Sequence, residues 1–147
     1  MRNTTRALAA TACAAIVGLG TTLPADAATI SSVGPATLMA KGVTVSVPLS
    51  GTCDVGEYYS VGVTLTQKTS GKTVVQGSAG IDWNLCVQQH FSVTLFVQQR
   101  IYDYNYNPTT TMTFKKGTAS AAVNLGSHDA DYSYYTNTST TTEIRIG

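Results

Sequence analysis

An all-β fold, a single antiparallel sandwich of seven to eight strands, is what this chain predicts, and three observations carry it. Apolar and polar residues alternate with period two through most of the chain beyond residue 27. No apolar stripe at helical spacing occurs there. Charged residues make up only 12 % of the chain while Thr, Ser and Val abound, a composition suited to pleated, half-buried surfaces.

Each strand follows from its own pattern. Ala28 to Val33 is a candidate first strand. Val43, Val45, Val47, Leu49 and Cys53 share one parity, and Thr44, Ser46, Ser50 and Thr52 take the other. Pro48 lies on the outward parity; lacking an N–H, it marks an edge or a bulge. Tyr59, Val61, Val63 and Leu65 alternate with Ser60, Gly62, Thr64 and Thr66, and Thr69-Ser70-Gly71-Lys72 then turns the chain into Thr73-Val74-Val75-Gln76, which predicts a hairpin. Ile81, Trp83 and Leu85 share a parity, and Trp83 stands three residues before Cys86, which assigns its ring to the core. Phe91, Val93, Leu95 and Val97 face inward, with Phe96 breaking the pattern by facing out. Thr111 to Lys116 reads as a short strand. Ala119, Ala121, Val123 and Leu125 alternate inward before a turn at Gly126, and Thr140 to Ile146 closes the chain with Ile144 and Ile146 on one face.

The first residues have a different character. Met1 to Arg6 carries Arg2 and Arg6, an alanine-rich apolar run follows from Ala7 to Leu23, and Ala25-Asp26-Ala27 supplies a small-residue cleavage site. Residues 1–27 therefore read as a secretory signal peptide, with Cys13 inside its apolar run, and residues 28–147 as one domain. Export predicts a secreted, extracellular protein with no membrane attachment after cleavage. The remaining Cys53 and Cys86 then predict one disulfide bond, worth about 3 to 4 kcal/mol in the chain-entropy model. Without closely spaced Cys or His they make a poor zinc site. The domain carries seven basic and seven acidic side chains. Formal neutrality argues against nucleic acid or an anionic membrane as partner, and leaves Lys115-Lys116 as a solvated strand end or turn.

A domain of this size with strands at Greek-key spacing and one buried disulfide resembles the immunoglobulin-like sandwiches in architecture. The cysteines lie 33 positions apart, Trp83 precedes the second cysteine by three residues, and position 84 is Asn; these departures leave the usual disulfide between the two sheets open. A-T-L-M-A-K-G-V-T-V-S-V (Ala36 to Val47), V-G-V-T-L-T-Q (Val61 to Gln67) and F-K-K-G-T-A (Phe114 to Ala119) resemble stretches of small exported proteins of actinomycetes. That resemblance implies export and a β-sandwich, without an activity. The antibiotic-carrier chromoproteins are similar in size and sheet architecture, but have two disulfides where this chain can form one.

Few residues suggest catalysis. No G-x-S-x-G elbow occurs, His90 stands at a strand entry, and His128 falls in the turn Gly126-Ser127-His128-Asp129. Asp103-x-Asn105-x-Asn107 repeats the first half of a calcium loop, but Pro108 stands where Gly is needed and Phe114 where Glu is needed; Asp129 and Asp131 are further weak candidates for a metal. No cofactor is expected. The stronger signal is tyrosine. Tyr102, Tyr104 and Tyr106 at strand spacing, and Tyr132, Tyr134 and Tyr135 in D-A-D-Y-S-Y-Y-T-N, hold six of the eight tyrosines. Such rings either cover the ends of a sandwich or contact a ligand. The function expected is a secreted, monomeric, non-catalytic binding module whose tyrosine-rich loops meet an extracellular glycan or protein. A passive structural or surface protein, and a small secreted hydrolase, are the alternatives.

Overall fold

Alternate residues along these strands are apolar, and a sheet with one apolar face must bury it against another such face. The computed structural model describes residues 28–70, 73–100 and 113–147. In it the strands are β1 (Thr29–Val33), β2 (Thr37–Met39), β3 (Thr44–Thr52), β4 (Tyr58–Ser70), β5 (Thr73–Leu85), β6 (His90–Gln99), β7 (Gly117–His128) and β8 (Tyr135–Ile146). The expected signal peptide, residues 1–27, lies outside the described residues.

All the strand pairs are antiparallel, in the order β1-β3-β6-β5-β4-β7-β8, with β2 beside β3. Among the described residues the pairing between β5 and β6 is confined to Gly77 with Gln99 and Ser78 with Gln98, whereas β3 with β6 and β4 with β7 run in register over nine pairs each. The sheet therefore turns a corner at Gly77. One layer is β1 and β2 with β3 and β6; the other is β5-β4-β7-β8. A side chain at Gly77 would run into the Gln98 carbonyl, so the corner needs glycine. A parallel bridge from Ala36 to Ile146 ties the far margins together.

The core lies between the layers. Val45, Val47, Leu49, Leu95 and Val97 from one layer, and Val61, Val63, Leu65, Ala121, Val123 and Leu125 from the other, are buried as their parity predicts. Tyr59 stacks on Phe91 across the interior, with ring centroids 4.7 Å apart. The expected Cys53–Cys86 disulfide is present, with Cα atoms 6.0 Å apart. It joins the chain just past β3 to the chain just past β5, and so links the two layers at one end.

Four expectations need correction or refinement. Pro48 is on neither an edge nor a bulge: β3 has neighbours on both sides, and the proline faces the break between β1 and β2, where Gly34 N–H donates to the Pro48 carbonyl at 2.9 Å. The described part of the proposed strand at Thr111 to Lys116 is not extended into any sheet; β7 begins at Gly117. Instead buried Gln67 holds it, donating from Nε2 to the Lys115 carbonyl at 2.8 Å and accepting from Lys115 N–H at 2.8 Å. The supposed turn at Gly126 is strand, since β7 continues through His128. Trp83 leaves the core, for a reason given below.

Two consequences are measurable. Reduction of the disulfide, or a Cys53→Ser and Cys86→Ser pair, should cost about 3 to 4 kcal/mol and lower the melting temperature by roughly 10 °C or more. Calorimetry reads both, and an unchanged Tm would show that the cross-link constrains nothing. Gln67→Leu leaves the Lys115 backbone unsatisfied within the protein and should cost about 1 to 3 kcal/mol in denaturant titration.

Candidate functional site

The register of β5 against β4 slips between Tyr59 and Val61 and again near the hairpin, between Lys68 and Ser70. Tyr59 faces Asn84 and Val61 faces Ile81, so Asp82 and Trp83 together oppose the single residue Ser60. This is a bulge, and it re-aims what it carries. Ile81 keeps its place against the core, while the Trp83 side chain emerges on the outer face, 40 % exposed. From β5 the indole reaches across β4 to β7. A Cβ added at Gly126 would lie 3.1 Å from its Cη2 and 2.9 Å from Ser60 Oγ. Gly126 is thus the floor on which the indole rests, and not a turn residue.

His128, the last residue of β7, is the centre of the patch and only 2 % exposed. Its ring stacks on Tyr58 at 5.2 Å and on Tyr132 at 4.0 Å, and meets Trp83 edge-on at 4.4 Å. Trp83 in turn makes an edge contact with Tyr135 at 6.1 Å. The residue expected in an exposed turn is therefore buried among aromatic rings. Its Nδ1 donates to the Asp129 carbonyl at 2.6 Å, while Nε2 is buried without a hydrogen-bond partner.

The connection from β7 to β8 presents the second tyrosine cluster. Asp129 organises it: the carboxylate accepts from Ser133 Oγ and, at 3.0 Å, from Tyr134 N–H. The hydrogen bond from Ser133, followed by that from the Tyr134 backbone, holds the Asp129 carboxyl below its ordinary value. Tyr132 sits at φ 59°, a left-handed backbone that a bulky side chain rarely adopts, and its amide donates to the Asp129 carbonyl at 3.2 Å. Tyr132 and Tyr135 are 69 % and 58 % exposed, and Tyr134 is also exposed.

Beside these rings, the outer face of β5-β4-β7-β8 holds a cleft of about 410 Å³. Gly62, Gly80 and Gly126 leave its floor bare of side chains, Asp82, Asn124 and Asn137 supply polar edges, and Tyr135 forms a wall. A second cleft of about 400 Å³, at the opposite end of the layer, is lined by Gly117, Thr118, Glu143, Ile144 and Arg145 and has no aromatic ring.

Of the ligand-contact residues expected from sequence, Tyr132, Tyr134 and Tyr135 fall together at this end. Tyr102, Tyr104 and Tyr106, with Asp103 and Asn105, lie outside the described residues. The described residues that flank them are at the other end: Arg100 N–H donates to Gln76 and Phe114 N–H to Gly42. Among the described residues no group of three His, Cys, Asp or Glu side chains is arranged to hold a metal ion, and the Asp129 oxygens are taken up by its own loop. No described helix is long and apolar enough to cross a membrane. Sequence parity missed Trp83 because a bulge shifts parity by one; the signal available was the run of small residues Ser60, Gly62 and Gly126 that clears a place for the indole.

Fold and patch together define a one-disulfide antiparallel β-sandwich with an aromatic cleft on the outer face of one layer. No family model matches the chain, and no curated protein matches it significantly.

The loop supplies a pH test. Because the folded Asp129 carboxyl titrates below its ordinary 3.8, its hold on the loop is complete above that pH and is lost as pH falls through the lower folded value. Measured against its intrinsic exchange rate at each pH, the Tyr134 amide should lose protection in acid while the sheet amides keep theirs, and Asp129→Ala should show the same low protection at neutral pH. Equal protection in both proteins at both pH values would remove the organising role of Asp129.

Proposed function

We propose that the protein is exported, cleaved after Ala27, and acts as a monomeric, non-catalytic binding module that takes an extracellular glycan in the cleft beside Trp83 and Tyr135. This keeps it among the small exported immunoglobulin-like proteins that its sequence resembles. The observation that carries the proposal is the bulge at Asp82-Trp83, which exposes a tryptophan against a bare glycine floor where alternation would have buried it. Sugar rings present a C–H face to aromatic rings and hydroxyls that both donate and accept. Asn124 and Asn137 can answer a hydroxyl in either sense, and Asp82 accepts. The cleft volume lies within the range of ligand sites.

The tyrosines of the β7 to β8 connection extend the aromatic surface. His128 has a carbonyl and not a carboxylate on Nδ1, and among the described residues no serine or threonine hydroxyl hydrogen-bonds to it, so it lacks the surroundings of a general base.

Retention of the mature chain on insoluble polysaccharides and cell walls tests this. Trp83→Ala and Tyr135→Ala should each weaken saturable retention about tenfold, near 1.4 kcal/mol, with the β-sheet circular dichroism unchanged. A Tyr102→Ala, Tyr104→Ala, Tyr106→Ala variant reads the other tyrosine segment separately. Absence of retention on every polysaccharide, or full retention by Trp83→Ala, would overturn the proposal.

A further inference from the structure

The neutral total conceals a separation of charge along the strands. In an antiparallel sandwich, successive connections alternate between the two ends. Lys41, Lys68, Arg100, Lys115, Lys116 and Arg145 all lie at the end where β4 runs into β5 and where Gly42 meets Phe114. Asp54, Glu57, Asp82, Asp129 and Asp131 lie at the end that holds the disulfide, Trp83 and His128. Among the described carboxylate side chains, only Glu143 is at the basic end. β4 has 13 residues, which puts about 40 Å between its ends. The screening length at physiological salt is about 8 Å, so the far cations do nothing to neutralise the aromatic end.

We propose that the glycan taken at this end carries free amines, as a polymer of amino sugars in the ammonium form, and is neither neutral nor anionic; this rests on the glycan reading above. Three features of the site fit that class of ligand and no other glycan as well. Carboxylates surround the aromatic patch with no described lysine or arginine among them. Exposed faces of Trp83, Tyr132 and Tyr135 attract a cation through their ring quadrupoles, most strongly where water is thinned. An ammonium offers three donors and no acceptor, and the cleft has acceptors for it in Asp82 and the Asn137 amide oxygen. In support, burial and then the neighbouring Asp54 and Asp129 carboxylates push the Glu57 carboxyl above its ordinary value. An arriving ammonium would relieve that crowding.

The test compares four matrices: a poly-glucosamine with free amines, the same backbone fully N-acetylated, a carboxylated polysaccharide, and poly-lysine. Retention on the free-amine polymer should exceed that on its N-acetylated form by at least about tenfold, near 1.4 kcal/mol. Asp82→Asn and Trp83→Ala should each weaken it, Trp83→Phe should largely restore it, and Arg145→Gln at the far end should leave it unchanged. Equal retention on the N-acetylated polymer, or preference for the carboxylated one, overturns the amine requirement and leaves the glycan module standing. Retention on none of the three polysaccharides overturns both. Equal binding to poly-lysine, or binding that survives Trp83→Ala and vanishes between about 0.05 and 0.5 M salt, assigns the interaction to bulk charge and overturns the proposal.

Discussion

The burial of alternate residues between two layers is the constraint on which everything else here depends. Among the described residues β5 and β6 join the layers through only two residue pairs, at Gly77 and Ser78, so that ladder alone would leave them hinged. What closes them is the apolar face itself, from Val45 and Val47 against Val61, Val63 and Val123, with the Cys53–Cys86 bond at one end and the Ala36–Ile146 bridge at the other margin. Because the inner face is committed to that packing, any side chain that serves a ligand must come from the outer parity or from a break in it. The Asp82-Trp83 bulge is such a break: one extra residue moves an indole from the interior to the surface without disturbing Ile81. The cost of exposing so large an apolar ring is what marks the place as something other than scaffold.

Most of the fold was legible because period two is a strong signal over strands of nine to thirteen residues. Parity placed the buried aliphatic residues of β3, β4, β6 and β7 correctly, and the outward Phe96 as well. What was not legible arose where a local pattern has a non-local cause. Gly126-Ser127-His128-Asp129 has the composition of a turn, yet Gly126 is there to clear space for a ring that reaches it from β5, two strands over in the layer. Gln67 sits on the inward parity of β4, where a polar residue looks like the end of the strand; its partner, Lys115, is 48 positions on. Trp83 is displaced by a bulge, which leaves no mark in a single sequence.

The candidate site divides in the same way. Tyr132, Tyr134 and Tyr135 were visible as a cluster, but their neighbours Trp83, Tyr58 and His128 come from three other places in the chain and could not be grouped without the register. Charge is the more instructive case. A count of seven against seven suggests indifference to any field. The strand order shows that the bases occupy alternate connections and the acids the intervening ones, a pattern that the sequence does contain once the strands are drawn.

A molecule with separated charge and almost no net charge is barely drawn bodily toward a uniform field, but it is turned by one. Near a positively charged surface it would present the aromatic end, and near a negatively charged one the lysine-rich end, before any contact is made. Encounters are thereby sorted by orientation during diffusion. A particle of this kind set between surfaces of opposite sign would stand with its strands along the gap, each end facing the layer it complements.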